Sequence, residues 1–207
     1  MRLAVFSESP ADEAALRVLV TPLIGNTASE DTELRIRSRG WPSVRELLPS
    51  IIKQLHYRTT VDALLVVVDS DDSTPHSSHG SSGPGDCRLC ALRQVVDVEI
   101  GKLRDVPGRS KLKTAIGLCV PAIEAWYLCG VEPSVTEAEW RIGRDSGHPP
   151  YSRLDLKRRA YGTPIPTLAD QTAKAVQHAE RLAADLNGLR TWFAQGCGTM
   201  LDTIESW

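Results

Sequence analysis

The chain has 207 residues, of which 42% are hydrophobic, 24% charged and 5% aromatic. This composition is that of a globular protein and excludes wholesale disorder and fibrous repeats. The 24 Lys and Arg residues and the 26 Asp and Glu residues give a net charge of −2, so no overall positive charge indicates a nucleic-acid or membrane partner. No apolar run approaches the ~20 residues that a membrane span requires, and the amino-terminal apolar run is too short for a signal peptide. We therefore expect a cytoplasmic protein.

The amino-terminal region predicts a strand followed by a helix. Residues 3–6 read LAVF, and a short continuous apolar run is typical of a buried parallel strand. Ser9 precedes Pro10, and two acidic residues follow in the next turn. This pattern predicts a helix that begins there and runs towards Gly25.

The next region predicts a second strand and a second helix. Apolar and basic residues alternate along residues 32–40, which is typical of a strand with a basic outer face. Residues 41–54 predict a helix, in which Pro49 should introduce a kink or a break.

The middle of the chain continues this alternation. The strongest predicted strand, ALLVVV at residues 63–68, is followed by a helix over about residues 87–103. A fourth strand is predicted over residues 114–120, and Pro121 opens the helix that follows it. Four strands that alternate with helices predict an α/β fold with a mostly parallel four-stranded sheet, covered by helices on both faces.

Two regions follow from this pattern. Residues 1–130 form the predicted α/β core, with an insertion rich in Ser, Gly and His at about residues 73–90. Residues 131–207 form a predicted helical extension packed on the core. Within it, a stretch containing Pro and Gly over residues 131–166 precedes an amphipathic segment over residues 168–193, whose apolar residues recur at helical spacing.

Three carboxylates follow the ends of two predicted strands. Glu8 lies just past the first strand, and Asp69 and Asp71 lie just past the third. Taken singly, these motifs are compatible with an anion at a helix start and with a polar turn. If the two strands are neighbours, all three carboxylates converge beyond the carboxyl ends of the sheet, where functional groups of open α/β sheets collect. Each like-charge pair at about 4 Å costs about 4 kcal/mol at an effective dielectric constant of roughly 20. The cluster therefore calls for a cation, and oxygen ligands select Mg²⁺ or Mn²⁺.

This arrangement resembles a known family. A strand ending in Glu (VFSESPADEAAL, residues 5–16), then a strand ending in Asp-x-Asp (LLVVVDSDD, residues 64–72), is similar to the TOPRIM domain of topoisomerases, primases and overcoming-lysogenisation-defect nucleases. The glutamate is followed by Ser9, where the family usually has Gly. Three further segments resemble small stand-alone TOPRIM-like proteins of prokaryotic defence loci: VPAIEAWYL (120–128), LKRRAYG (156–162) and AERLAADLNGLRTWFAQGCGTM (179–200).

The resemblance implies a TOPRIM-like Rossmannoid fold and Mg²⁺-dependent phosphodiester chemistry. It implies that Glu8 acts as general acid or base or as a ligand, and that Asp69 and Asp71 are metal ligands. Glu124 matches an acidic position of the family, for which metal binding and a salt bridge to a basic neighbour are alternatives. Asp72 is a further accessory candidate.

A second group of candidate ligands lies in the loop after the third predicted strand. His76-x-x-His79, followed by Cys87-x-x-Cys90, supplies the four nitrogen and sulfur ligands of a closed tetrahedral zinc site. We expect a structural Zn²⁺ there, because metal binding can order a loop that has almost no apolar side chains of its own. The alternative is that both cysteines face the core and both histidines are solvated.

Two clusters of basic residues are candidates for contacts with phosphate groups. The first contains Lys102, Arg104, Arg109, Lys111 and Lys113, and the second contains Arg153, Lys157, Arg158 and Arg159. Each is also compatible with an ordinary solvated surface. If both flank the carboxylates, they would hold a nucleic-acid backbone through its phosphates. The residues predicted to do so are Lys111, Lys113, Lys157, Arg158 and Arg159.

These patterns predict a Mg²⁺-dependent nuclease of TOPRIM type, which acts on DNA in preference to RNA as the effector subunit of an anti-phage defence system. The chain has no Walker-type phosphate loop, so an associated ATPase would be a separate subunit. Two alternatives are a catalytically silent binding or regulatory subunit and a small-molecule phosphohydrolase that uses the same metal site. The sequence leaves the oligomeric state open.

Overall fold

A three-stranded parallel sheet forms the centre of the molecule. The structure is a computed structural model that describes residues 1–25, 40–73, 76 and 86–207. The sheet order is β1 (Leu3–Phe6), β2 (Ala63–Asp69) and β3 (Lys113–Cys119). In the register of the sheet, Ala63 of β2 lies opposite Leu3 on one side and Lys113 on the other. The predicted α/β class and parallel sheet are thus confirmed. The strand predicted over residues 32–40 lies outside the described residues except for its last position, Gly40, which begins a helix.

Helices flank this sheet. The described residues form α1 (Pro10–Ile24), α2 (Gly40–Arg58), α3 (Arg88–Lys102), α4 (Ile123–Tyr127), α5 (Glu137–Asp145), α6 (Arg153–Tyr161), α7 (Leu168–Ala183), α8 (Leu186–Trp192) and α9 (Thr199–Glu205). A π-helical segment, Ala194–Gly198, connects α8 to α9.

Two stretches differ from their sequence-based predictions. α2 continues through Pro49 without a break, because apolar residues on both sides of the proline, among them Leu48 and Ile51, are buried in the core. The region 131–166 contains two helices, α5 and α6, that its Pro and Gly content does not predict. Each begins at a capping residue, Thr136 or Ser152, whose side chain accepts a backbone N–H three residues later. Such Thr and Ser caps, each followed by an acid at the third position, are sequence signals that could have located both helices.

The helices bury β1 and β2 from end to end. Every residue of β1 and β2 is buried. α1 packs on β1 and along α7, whereas α2 packs on β2 and along α3. The π-helical segment and α9 pack directly on β3. The carboxyl-terminal helices therefore form part of the core around β3.

The three strands end at one edge of the sheet because they are parallel. We call this the carboxyl edge, formed by residues 7–9 after β1, residues 70–73 after β2 and residues 120–124 after β3. A backbone hydrogen bond joins the last two of these segments, since the N–H of Asp71 donates to the Pro121 carbonyl at 2.9 Å. The side chains that follow the strands are therefore brought together at this edge.

Replacement of Gly196 by alanine is expected to destabilise the fold. A Cβ atom at this position of the π-helical segment would lie 1.8 Å from the carbonyl oxygen of Leu118 in β3. Because backbone on both sides must move, Gly196→Ala should lower the free energy of unfolding by about 3 kcal/mol, the upper part of the usual range for overpacking. Urea denaturation measures this change.

Gly101→Ala provides the matched control, because a Cβ at this helical position of α3 meets nothing within 4 Å. This variant should gain up to about 1 kcal/mol from alanine's higher helix propensity. Equal stability of the two variants would contradict the close contact between the π-helical segment and β3.

Candidate functional site

Glu8 and Asp69 meet at the carboxyl edge. Glu8 lies between β1 and α1, where the Ser9 hydroxyl caps the helix by accepting the Asp12 N–H at 3.2 Å. This cap holds Glu8 beside the end of β2, and Glu8 Oε1 accepts the backbone N–H of Asp69 at 3.0 Å. The pairing of β1 with β2 thus places the first predicted site residue against the second.

The loop after β2 is held by the loop after β3. Asp69 is buried, and its Oδ1 accepts the N–H of Ile123 at 2.9 Å. Asp71 adopts a left-handed backbone conformation with φ of 45°, and its N–H donates to the Pro121 carbonyl at 2.9 Å. Asp is one of the residues that tolerate this conformation. Both aspartates are therefore fixed in position by backbone hydrogen bonds.

Two arginines neutralise these carboxylates. Arg153, the first residue of α6, bridges them: its Nη2 lies 2.5 Å from Asp69 Oδ2, and its Nη1 bonds Asp71 Oδ1. Arg88, the first residue of α3, donates through Nη1 to Asp71 Oδ2 at 2.8 Å and to the Asp69 carbonyl at 2.7 Å. The same nitrogen lies 3.8 Å from Glu8 Oε1. The structure brings the three predicted residues together as an ion-pair network.

Two further acids lie buried beside this network. Asp12 is 7% exposed and Glu124 is 2% exposed. Asp12 Oδ1 and Glu124 Oε2 have no hydrogen-bond partner among the described residues. The motifs at the strand ends do not include Asp12, although its spacing from the buried Leu16 and Leu19 of α1 places it on the inward face of that helix. We call Glu8, Asp12, Asp69, Asp71 and Glu124 the acidic cluster.

Burial raises the pKa values in the acidic cluster. It raises the pKa of the Asp12 carboxyl to about 7, with further contributions from Glu124 and Glu8. Burial, followed by the charge of Glu124, raises the pKa of Asp69 well above its usual value. Burial also raises the pKa values of Glu8 and Glu124. Five carboxylates facing two guanidinium groups leave an excess of negative charge, which favours protons or an added cation.

A polar pocket opens beside the acidic cluster. Its volume is about 740 Å³, and its lining is Asp71, Asp72, Ser73, Asp86, Arg88, Arg144 and Arg153. Arg144 of α5 shapes one wall, because its guanidinium donates to the Asp72 carbonyl at 2.8 Å and to the Ser73 carbonyl. Three arginines from three different helices therefore face this pocket.

The predicted nucleic-acid-binding residues are dispersed. Lys113 begins β3, so it and Lys111 lie at the amino ends of the strands, about 20 Å along β3 from the carboxyl edge. Lys113 Nζ donates to the Trp207 carbonyl. Arg158 and Arg159 form ion pairs with two acids, Asp155 and Glu132.

Two residues of the second basic cluster, Arg153 and Lys157, lie near the acidic cluster. The charge of Lys157 opposes the effect of burial on the pKa of Glu124. Lys111 and Lys113 do not flank the carboxylates, because the direction of β3 places them at the opposite end of the sheet. The five predicted nucleic-acid-binding residues therefore form no continuous basic track past the acidic cluster.

His76, Cys87 and Cys90 form a second candidate site. His76 Nδ1 lies 3.8 Å from Cys87 Sγ and 3.4 Å from Cys90 Sγ, and the three ligand atoms lie within 4.8 Å of one another. This group could hold a metal such as zinc. Within the described ranges it is the only group of three or more His, Cys, Asp or Glu ligand atoms this close together. His79, the predicted fourth ligand, lies outside the described residues.

Comparison with known proteins gives no family for this chain. No protein-family model, curated protein or solved structure matches it. In the part of the chain that the structure describes, no helix combines the length and apolar character needed to cross a membrane.

We expect stability to fall as pH rises through the titration of Asp12. The unfolded state releases the Asp12 proton near pH 4, whereas the folded state retains it to about pH 7. The folded state therefore binds more protons over this interval, and its stability decreases with pH, by at most about 4 kcal/mol from this group. Asp12→Asn should match the wild type at pH 4 and exceed its stability at pH 8.

Urea denaturation at both pH values in the presence of a chelator tests this expectation. Asp97→Asn, at an exposed position of α3, controls for the removal of one aspartate. The stability of Asp12→Asn relative to wild type should therefore be greater at pH 8 than at pH 4. An unchanged difference at the two pH values would contradict the burial of an uncompensated carboxyl group.

We expect the purified chain to bind Zn²⁺ through His76, Cys87 and Cys90. Cys90→Ser should weaken zinc affinity at least about 100-fold. Mutation of a group that only supports a metal ligand costs up to about 100-fold, and loss of a ligand itself should cost no less. Competition with a chromophoric chelator measures the affinity. Cys129→Ser, which changes a buried cysteine outside this group, should bind zinc as the wild type does. Equal affinities for all three proteins would exclude this zinc site.

Proposed function

We propose that the chain is a Mg²⁺-dependent nuclease of TOPRIM type that hydrolyses nucleic-acid phosphodiesters. One observation carries this proposal: Glu8, Asp69 and Asp71 lie together at the carboxyl edge of a parallel sheet, in the order and positions that the TOPRIM resemblance implies. Open α/β sheets bind their ligands beyond this edge.

The chemistry of the acidic cluster fits Mg²⁺ or Mn²⁺. All its ligand atoms are carboxylate oxygens, and two of them, on Asp12 and Glu124, are buried with no hydrogen-bond partner in the part of the chain that the structure describes. Burial raises the pKa values of Glu8 and Asp69, and repulsion by neighbouring acids raises them further. An added cation would relieve this repulsion and would compete with Arg153 for the aspartate oxygens.

Each residue then has a defined role in hydrolysis. Bound Mg²⁺ would polarise the phosphoryl oxygen and lower the pKa of its water. Glu8 would exchange a proton with the attacking water or the leaving oxygen, because burial moves its pKa towards neutral pH. Asp69 and Asp71 would hold the cation, in positions fixed by their contacts with residues 121–123. Arg88 and Arg144 would attract the phosphate group into the polar pocket.

The zinc site would have a structural role in this protein. We propose that Zn²⁺ bound to His76, Cys87 and Cys90, with His79 as the fourth ligand, holds the loop after β2 against the start of α3. Closed sites with four nitrogen and sulfur ligands are typical of structural zinc. The supporting contacts are those of the His76 ring with both sulfurs.

The biological setting is also part of the proposal. We propose that the protein acts in the cytoplasm as the effector subunit of an anti-phage defence system, on DNA rather than RNA. Its ATPase would be a separate subunit. The resemblance of residues 120–128, 156–162 and 179–200 to stand-alone TOPRIM-like proteins of defence loci supports this setting.

A small phosphorylated molecule is the second candidate substrate. It is favoured by the polar pocket, in which three arginines face a volume of about 740 Å³ beside the acidic cluster. The separation of Lys111 and Lys113 from this pocket, together with the ion pairs of Arg158 and Arg159, argues against a long phosphate track.

Cleavage assays test the reaction. Wild-type protein with Mg²⁺ or Mn²⁺ should cleave supercoiled, linear or single-stranded DNA more readily than RNA, and a chelator should abolish cleavage. Glu8→Gln and Asp69→Asn should each reduce the rate at least about 100-fold, since loss of a metal ligand should cost no less than loss of its supporting groups. Glu180→Gln, an exposed change in α7, should retain the wild-type rate.

The substrate panel separates the candidate functions. Hydrolysis of a mononucleotide or an aryl phosphate, but not of polynucleotides, would identify the small-molecule phosphohydrolase. Equal cleavage by wild type, Glu8→Gln and Asp69→Asn would indicate a contaminating nuclease. Folded protein that binds nucleic acid without cleaving any substrate would instead support the silent binding subunit.

A further inference from the structure

Arg88 belongs to two sites at once. In the sequence it lies between Cys87 and Cys90, two of the three grouped metal-ligand candidates. In space its guanidinium reaches the acidic cluster, where Nη1 contacts Asp71 Oδ2 at 2.8 Å, the Asp69 carbonyl at 2.7 Å and Glu8 Oε1 at 3.8 Å. The first turn of α3 therefore connects the two sites through one side chain.

The orientation of Arg88 depends on the start of α3. Cys87 occupies the N-cap position but makes no side-chain capping hydrogen bond. Cys90 lies three residues later, at the position from which a capping-box side chain would reach back. A metal bound by both sulfurs would link these two positions and restrain the turn, as a capping box does in α6. Without the metal, the first turn of α3 lacks this restraint.

The guanidinium is also confined by its surroundings. The Arg88 side chain is 15% exposed, and its guanidinium carbon lies 5.2 Å from the centre of the Trp41 ring. Arg153, the other cation of the network, has a side chain that is 44% exposed. Arg88 is thus the more enclosed of the two positive charges, and its withdrawal would break its contacts with Asp71, the Asp69 carbonyl and Trp41.

We propose that metal bound at His76, Cys87 and Cys90 holds Arg88 in the acidic cluster and thereby weakens the binding of Mg²⁺ there. The inference rests on the proposed function, since it assumes that the acidic cluster binds Mg²⁺. The coupling follows from charge, because the guanidinium and Mg²⁺ are attracted to the same oxygens of Asp71 and Glu8. By linkage, each metal weakens the binding of the other by the same factor, which we expect to be about tenfold.

Calorimetric titration of the full chain with Mg²⁺ tests this inference. Mg²⁺ is the suitable probe because it has little affinity for thiolate ligands. We compare protein loaded with one equivalent of Zn²⁺ with protein freed of zinc under reducing conditions, and use Cys90→Ser as an independent zinc-free form. Circular dichroism verifies that each form is folded. The zinc-loaded wild type should bind Mg²⁺ about tenfold more weakly than either zinc-free form.

Arg88→Ala identifies the residue that carries the coupling. This variant should bind Mg²⁺ with the same affinity in its zinc-loaded and zinc-free states. Arg45→Ala, which removes a positive charge at an exposed position of α2, should retain the tenfold difference.

The outcomes distinguish failure of this inference from failure of the proposed function. Equal Mg²⁺ affinity in the two zinc states of the wild type, or tighter binding with zinc, would overturn the coupling and leave the Mg²⁺ site intact. A difference that persists in Arg88→Ala would overturn the role of Arg88. If neither zinc state binds Mg²⁺, both the acidic-cluster function and the coupling fail.

Discussion

The crowding of five carboxylates, three of them buried and two half-buried, is the constraint around which this structure is arranged. Parallel strands end at one edge, so acids that follow β1 and β2 necessarily approach one another, and α1 and α4 add Asp12 and Glu124. The compensating charges come from distant parts of the chain: Arg88 begins α3, and Arg153 begins α6. Because each arginine is the first residue of its helix and its guanidinium contacts Asp71 in the loop after β2, these ion pairs also connect the starts of α3 and α6 to the sheet.

Backbone donors make the acidic cluster more rigid than ion pairs alone would. Glu8 accepts from the N–H of Asp69, and Asp69 accepts from the N–H of Ile123. The N–H of Asp71 is in turn bonded to the Pro121 carbonyl. Hydrogen bonds to charged groups are stronger than neutral ones, especially in a buried setting. The segments at the ends of all three strands are thus fixed to one another, which is the preorganisation that the proposed metal-dependent reaction would require.

The sequence could predict what depends on local pattern and on the geometry of a parallel sheet. Continuous apolar runs located all three described strands, and the Ser9 cap located the start of α1. The approach of Glu8 to Asp69 followed from the pairing of the first and third predicted strands. The partner of Asp69 and Asp71 could not be predicted in this way, because Arg153 lies more than eighty residues away and reaches them only through tertiary packing of α6. Its sequence neighbours indicated a solvated basic cluster instead. The TOPRIM relationship, the catalytic roles and the Mg²⁺ site remain predictions.

The position of Arg153 also affects how far the chain can be shortened. A boundary after residue 130 appears natural in the sequence, since the strand–helix alternation stops there. A fragment cut at that point would lose Arg144 and Arg153 from the carboxyl edge, and with them the π-helical segment and α9 that cover β3. It would expose an apolar strand to pairing with other copies while leaving Asp69 and Asp71 without one of their two cations. The α/β core is therefore a topological unit that depends on the rest of the chain for its solubility.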